Sequence, residues 1–368
     1  MTEGQTKGRS LWADAARRLR ANKAATVSII YLALVTVVCI AGPWFLQHDF
    51  ATIFENYNRV PPSLSAYPKA DTVELVLKEA AKRAKVEFEG FTETEGKIFV
   101  TLTSPKPIDE RVTRYFDRSG SFEKTQVEEK SPDGLRLVLS TQTKKDYFYF
   151  GTDISGRDLL ARTLVAGRVS LAIGFLAGLV AVFIGVLYGA TTGFIGGKTD
   201  DVMMRIVDIL YALPFTFFVI MLVVFFGRNF VLMFFAVGCV MWLDMARIVR
   251  GQALSLKRQE YVQAAEALGV NKWGIVLRHI IPNLLGPVVI YMTLLVPQVI
   301  ILESFLSYLG LGVQEPMSSW GVLISQGARN IPYANWLLFF PSFFLTSTLF
   351  ALNFIGDGLR DALDPKDR

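Results

Sequence analysis

The chain has 368 residues, of which 52% are hydrophobic and 19% charged, with 28 Phe and a formal charge of +5. Mean hydropathy is +0.37, and the charges sit in blocks between long apolar runs. A soluble domain would interleave them, so that class is excluded. The two cysteines, Cys39 and Cys239, both lie inside apolar runs, which leaves neither a disulfide framework nor a Cys-based metal site.

In chain order, residues 1–23 form a basic segment carrying Lys7, Arg9, Arg17, Arg18, Arg20 and Lys23. An apolar run at 24–46 follows and is long enough to cross a bilayer core of about 30 Å, which takes about 20 apolar residues. Val37-Val38 stand before Cys39 where a lipoprotein signal needs small residues, so the run reads as an uncleaved span.

Residues 47–150 read as a small α+β insertion. Asp71 to Glu87 places Val73, Val76, Leu77, Ala80 and Ala84 at helical spacing, and Ile98, Val100 and Leu102 alternate like a half-buried strand. Further strands are expected at Val112–Phe116, Phe122–Val127 and Leu135–Ser140, joined by turns at Ser119-Gly120 and Pro132-Asp133-Gly134. Nothing in the insertion has metal-ligating or catalytic spacing, and a spacer or docking surface is the expected role.

From 151 onward the chain is a membrane core with predicted spans at 169–192, 206–227, 230–246, 284–305 and 336–356, making six in all. Lys198 and Arg205 flank one loop, and Arg247, Arg250, Lys257, Arg258, Lys272 and Arg278 fill the segment 247–283. The opposite side's short loops offer mainly Arg228 and Arg329. The excess of cations in those short flanks puts both termini in the cytoplasm and the insertion outside.

Several residues in this core invite a functional reading. Gly193-Phe-Ile-Gly-Gly-Lys198-Thr199 misses the spacing of a phosphate loop and follows an apolar span, so it reads as a glycine-rich turn. His48 and His279 are expected on opposite sides of the membrane, which removes His-based metal or triad chemistry. No catalytic site is found. Charges at membrane depth are costly and turn toward protein or water. Asp208, Asp244, Glu303 and Asp357 qualify in part. Asp244 is expected to pair with Arg247 at i, i+3. Asp208 precedes Pro214, whose missing amide donor weakens the third span, and Glu303 either faces a pathway mouth or caps the loop after it. Gly174, Gly178, Gly185 and Gly189 suit close helix packing.

The most specific stretch is Glu260-Tyr-Val-Gln-Ala-Ala-Glu-Ala-Leu-Gly269 with Ile281-Pro282 beyond it. On a helix, Tyr261, Ala264, Ala265 and Leu268 fall on one stripe, while Glu260, Gln263 and Glu266 face elsewhere. Gly269 can end that helix in the left-handed conformation, Asn271 can cap a second helix carrying Trp273, Val276, Leu277 and Ile280, and Pro282 would close it.

This stretch resembles the EAA loop by which permeases of ATP-binding-cassette importers dock on their ATPase. Gly151-Thr-Asp-Ile-Ser-Gly-Arg-Asp158, Ser307-Tyr-Leu-Gly-Leu-Gly312 and the tail Gly356-Asp-Gly-Leu-Arg-Asp-Ala-Leu-Asp-Pro365 extend the resemblance to the C-type permeases of the oligopeptide/dipeptide/nickel importer family. It covers about residues 151–368 and the first span. Departures are Gln263-Ala264-Ala265 for Glu-Ala-Ala, Ile281 for Leu, and the insertion of about a hundred residues.

The resemblance implies an all-α polytopic membrane protein of the type I importer permease fold, six helices plus the small α+β insertion, in a bacterial inner membrane. It implies ATPase coupling through Glu260, Tyr261, Ala264, Ala265, Glu266, Leu268, Gly269 and Pro282, with Asp208, Pro214 and Glu303 as pathway candidates. Expected partners are a homologous permease subunit, two ABC ATPase subunits, an extracytoplasmic substrate-binding protein and membrane lipid, with no nucleic acid. No cofactor is expected in this chain, ATP and Mg being bound by the partner subunits. Oligopeptides or dipeptides are the expected cargo, with a nickel complex, glutathione or a sugar as alternatives. A membrane-anchored sensor or a channel is the competing class. A sensor would continue into a cytoplasmic signalling domain, and a channel needs no amphipathic docking helix.

Overall fold

The structure is a computed structural model that describes residues 11–94, 96–227 and 230–363. Lys7, Arg9, Arg228 and the tail residues Asp364 and Pro365, used above for topology and resemblance, lie outside the described residues. The elements are α1 (Leu11–Ala21), α2 (Lys23–Ala41), α3 (Ala70–Arg83), β1 (Glu87–Thr94), β2 (Lys97–Thr103), α4 (Thr113–Asp117), β3 (Phe122–Lys130) and β4 (Arg136–Thr143). They continue with α5 (Leu159–Ile195), α6 (Gly197–Ala212), α7 (Phe215–Phe226), α8 (Phe230–Leu256), α9 (Glu260–Ala267), α10 (Lys272–Ile275), α11 (Ile281–Tyr308), α12 (Trp320–Arg329) and α13 (Trp336–Leu363).

Two compact units result. One is helical and comprises Met1–Trp44, Thr163–Asn330 and Leu338–Arg368; the other comprises Phe45–Arg162 and Ile331–Leu337. Among the described residues, four helical stretches are long and apolar enough to cross a membrane: Lys23–Trp44, Leu159–Ile195, Lys272–Tyr308 and Trp336–Leu363. The predicted third span is not one helix. It is α6 and α7, parted at Leu213 and Pro214, because Pro214 has no amide to donate and its carbonyl instead starts α7 by accepting from Phe217 N at 3.0 Å. At 1.5 Å per residue the 12-residue α7 reaches about 18 Å. The predicted fourth span runs on well past 246, since α8 has 27 residues and ends at Leu256.

In the helical unit Gly185, Gly189 and Gly193 of α5 lie where α8 comes close. A Cβ on Gly185 would stand 2.6 Å from Met245 Cβ, and one on Gly193 2.6 Å from the Arg250 carbonyl; at Gly189 it would collide with the Ala246 carbonyl. α8 therefore packs tightly against α5, as small-residue seams allow in membrane bundles. Arg168 closes another helix end: its Nε donates to Cys39 O at 2.7 Å and its Nη2 to Ile40 O at 2.5 Å, satisfying carbonyls at the C-terminus of α2.

The other unit holds an antiparallel four-stranded sheet in the order β1-β2-β4-β3. Its core is built from Leu77 and Ala80 of α3, Ile98, Val100 and Leu102 of β2, Leu137 and Leu139 of β4, and Phe116 and Phe122. Two expectations are corrected here. The predicted helix stops at Arg83 rather than Glu87, with Lys85 at φ 59°, and 87–94 becomes a strand. Val112–Phe116 is helical rather than extended, because the Asp109 side chain accepts from Arg111 N at 2.8 Å and so caps the turn, leaving Val112 and Phe116 buried on one face. β1 escaped notice because its Glu- and Thr-rich run is mostly exposed and carries little apolar alternation.

The same unit is pinned by buried charge. Asp153 accepts from Ser155 N and Arg157 N, both at 2.8 Å, from Arg157 Nε at 2.8 Å, and from Arg162 Nη1. The Gly151–Asp158 signature is thus a loop wrapped on one carboxylate. Gly156 carries φ 80°, and a Cβ there would strike the Phe54 carbonyl. His48, 6% exposed, lies between two more carboxylates, its Nδ1 2.9 Å from Asp158 Oδ2 and its Nε2 3.3 Å from Asp146 Oδ1. Burial by itself lowers the imidazole pKa, but the hydrogen bonds and negative charges of Asp146 and Asp158 outweigh it and raise the value to about 9.

A group whose folded pKa is raised contributes stability fully below its unfolded value of 6.5, and that contribution is lost as pH climbs through about 9. Exchange protection of residues 45–162 in the full-length protein, taken relative to the intrinsic amide rate at each pH, should therefore fall between about pH 7 and about pH 10. His48→Ala removes the cation that bridges Asp146 and Asp158, leaving Asp158 without it and Asp146 with Lys144 alone at 3.6 Å; it should cost about 3–5 kcal/mol and abolish that pH dependence. Equal protection in wild type and variant would contradict the ion bridge.

Candidate functional site

α8 delivers the candidate site. Beyond the glycine seam it is fixed by Arg250, whose Nε and Nη2 reach Asp200 Oδ1 and Oδ2, each at 2.5 Å. The two-point fork sets orientation as well as distance. Asp200 is 7% exposed and lies in the first turn of α6, where the helix dipole also favours its negative charge. One turn back on α8, Arg247 Nη2 donates to Asp208 Oδ1 at 2.9 Å, and its guanidinium lies 4.2 Å from the centre of the Tyr211 ring. The expected Asp244–Arg247 pair is therefore corrected. Arg247 reaches across to α6, and no ion pair to Asp244 is found among the described residues. Lys257 Nζ donates to Ile195 O at 3.4 Å, closing the end of α5 on the end of α8.

α9 begins at Glu260, and its acidic first turn suits the helix N-terminus. It ends in a Schellman motif: Gly269 N donates to Glu266 O at 3.0 Å and Val270 N to Ala265 O at 3.1 Å, with Gly269 at φ 80°. Val262 and Ala265 are buried, packed in one cluster with Ile275, Val276 and Ile280. Ala265 thus leaves the predicted stripe and anchors the helix. Tyr261, Ala264 and Leu268 remain on the open face, Leu268 being 84% exposed, and Glu260, Gln263 and Glu266 are exposed too.

Asn271 caps α10 as its side chain predicts, accepting from Gly274 N at 2.5 Å. Trp273 and Leu277 stay exposed while Val276 and Ile280 are buried. Pro282 does not close the helix. A π turn over Val276–Ile280 joins α10 to α11, and Pro282 falls in the first turn of α11, directly after that irregular turn. The chain is thus helical from Lys272 through Tyr308.

The pathway candidates are dispersed. Asp208 is exposed on α6 and held by Arg247, and Pro214 marks the break before α7. Glu303 is fully buried, its Oε1 accepting from Ser307 Oγ at 2.6 Å. Ser307 Oγ is in turn 3.4 Å from Ser319 Oγ, and Trp320 is fixed by Ser170 Oγ at 3.1 Å and by Thr163 O at 3.0 Å. Glu303 therefore sits at the root of the α11–α12 connection. Asp357 is exposed on α13. Asp200 and the partnership of Arg247 with Asp208 were not legible, since only the fold brings residues some forty to fifty apart together. Among the described residues no group of His, Cys, Asp or Glu is arranged to hold a metal.

Residues 172–368 match the family model described as the binding-protein-dependent transport system inner membrane component, and residues 10–62 match the N-terminal TM domain of oligopeptide transport permease C. The chain is 60% identical over 232 residues to the oligopeptide transport system permease protein OppC of Escherichia coli strain K12, covering 63% of this chain and 77% of that one. It is 43% identical over 366 residues to the protein of the same name from Haemophilus influenzae, covering 100% and 92%. It is 46% identical over 221 residues to the dipeptide transport system permease protein DppC of Bacillus subtilis, covering 60% and 69%. The full-length match includes residues 47–150, so the insertion is no departure from that relative. With one family model over more than half its length and a relative aligned end to end, the chain belongs to the inner-membrane components of binding-protein-dependent transport systems.

Proposed function

We propose that this chain is one of two homologous permease subunits of an ATP-binding-cassette importer for oligopeptides or dipeptides. The observation that carries the reading is the exposed helix α9, anchored by Val262 and Ala265, closed by Gly269 at φ 80° and presenting Tyr261, Ala264 and Leu268 outward, in a chain whose relatives bear the names of peptide permeases. Two ATPase subunits, which bind ATP and Mg, take that helix into a groove. A substrate-binding protein docks on the opposite side. The chain sits in the bacterial inner membrane with both termini cytoplasmic, residues 47–150 outside, and six crossings counted with α6–α7 and α8.

In this reading the chain performs no chemistry. It has two arrangements that differ in their contacts with the ATPases and the binding protein, and each partner biases the balance by its differential affinity. Glu260, Tyr261, Ala264, Glu266 and Leu268 meet the ATPase, Ala265 and Gly269 hold the helix in shape, and Pro282 begins the span that carries the motion inward. The ties Arg250–Asp200 and Arg247–Asp208 make α8 and α6 move as one body. Asp208 and Pro214 border the pathway, the break at Pro214 acting as its bend. Glu303 steadies the outer end of α11.

Topology is tested with single cysteines in a background lacking Cys39 and Cys239. One at Lys106 should react with an impermeant thiol reagent added outside, and one at Gln263 after permeabilisation. The opposite pattern would overturn the orientation.

Gly269→Val forces a β-branched residue into the left-handed region at a local cost of about 1–3 kcal/mol. Transport and binding-protein-stimulated ATPase activity should fall together while the complex still assembles. Normal values of both in an intact complex would remove α9 from the coupling route.

Deletion of the gene should abolish growth on an oligopeptide as sole source of a required amino acid and confer resistance to toxic peptides. Intact peptide uptake with loss of nickel, glutathione or sugar uptake would reassign the cargo.

A further inference from the structure

The unit formed by residues 45–162 contains a cleft of about 400 Å³ lined by Ile53 to Tyr57, by Arg83 at the end of α3, and by Arg118, Ser119 and Gly120 after α4. Its two walls are tied together: Asn56 Nδ2 donates to Ser119 O at 2.5 Å, and Tyr57 Oη lies 2.9 Å from Ser121 Oγ. Phe54 is held edge-on to Phe148 at 5.3 Å between ring centres and to His48 at 4.8 Å. The cleft is therefore preformed, with one apolar wall.

Its rim is basic. Arg83 and Arg118 both line it and are exposed, and Lys82 and Lys85 flank Arg83 in the chain, also exposed. None of these four cations has an ion pair among the described residues, although this unit pairs Lys78, Lys130, Arg136 and Lys144 with carboxylates. Glu55 is the one acidic lining residue. A position in the last turn of a helix accounts for Arg83 through the helix dipole. Arg118 is likewise the C-cap of α4, so helix ends favour a cation at both positions, but they do not by themselves bring both side chains to one cleft.

We propose that this cleft is a docking site for an acidic segment of the extracytoplasmic binding protein, an Asp or Glu carboxylate seated between Arg83 and Arg118 with a neighbouring apolar side chain against Ile53 and Phe54. The proposal rests on the importer reading and on residues 47–150 lying outside. Two guanidinium groups lining one cleft, neither with an ion pair among the described residues, suit a carboxylate, which each can bind through a two-pronged fork. Uncompensated surface charge of one sign also steers encounter with an oppositely charged partner.

The test uses the full transporter in nanodiscs and its own binding protein, with affinity measured at low and high salt. Arg83→Glu combined with Arg118→Glu should weaken association about tenfold or more at low salt and flatten its salt dependence, leaving basal ATPase activity unchanged. Arg83→Lys combined with Arg118→Lys, which keeps the charge, should retain most of the affinity. On the wild type, a Glu-rich peptide added as competitor should displace the binding protein, a result that does not depend on any variant folding. Equal affinity and equal salt dependence in wild type and the Glu variant, or no displacement by the peptide, would overturn the cleft assignment alone. Failure of the wild type to engage the binding protein under any condition would overturn the importer reading and the cleft assignment with it.

Discussion

The seam between α5 and α8 is the constraint from which the helical unit follows. Apolar side chains on long helices give little reason to prefer one register to another, because lipid tails solvate them as well as a neighbour does. Gly185, Gly189 and Gly193 supply that reason. Each leaves room that α8 fills, Gly185 for the Met245 side chain and the Trp242 carbonyl and Gly189 and Gly193 for the backbone of Ala246 to Arg250, and sliding the helices would put side chains where there is no space. The register brings Arg250 opposite Asp200 and Arg247 opposite Asp208, so the charges complete a fit that the glycines begin. The exposed helix α9, four residues beyond the end of α8, follows from there.

The unit of residues 45–162 solves a different problem. It has no disulfide, and its sheet carries one compact core. Where its segments converge it uses ionic contacts out of water, with Asp153 gathering Arg157 and Arg162, and His48 bridging Asp146 and Asp158. Such contacts are poor sources of net stability but severe penalties for misassembly, since each charge is costly to bury alone. They enforce which segments meet.

The sequence disclosed helices and the candidate docking helix well, because both depend on local pattern. The 3.6-residue period of Val73, Leu77 and Ala80, the cap at Asn271 and the left-handed glycine at 269 are all written within a few positions of where they act. What it hid depends on distance or on competition. β1 is too polar to alternate visibly, and 113–117 has the composition of a strand but obeys the cap at Asp109. Ala265 falls on the apolar stripe by angle yet belongs to the core, because Val262, one residue after Tyr261, pulls the buried face round toward itself. Pro282 looked like a stop because a proline is costly mid-helix. The π turn before it made it a start.

That π turn carries its own consequence. A π turn holds one more residue than an α turn, and one residue of an α-helix subtends about 100°. Trp273, on the near side, is therefore wound out of phase with the face that α11 presents from Leu284 onward. The direction in which the exposed end looks is set relative to the long helix by a single inserted residue. Regular winding over 276–280 would keep both segments helical and aim the near one at a different quarter, so this short irregularity acts as the indexing pin between an exposed surface and a long helix.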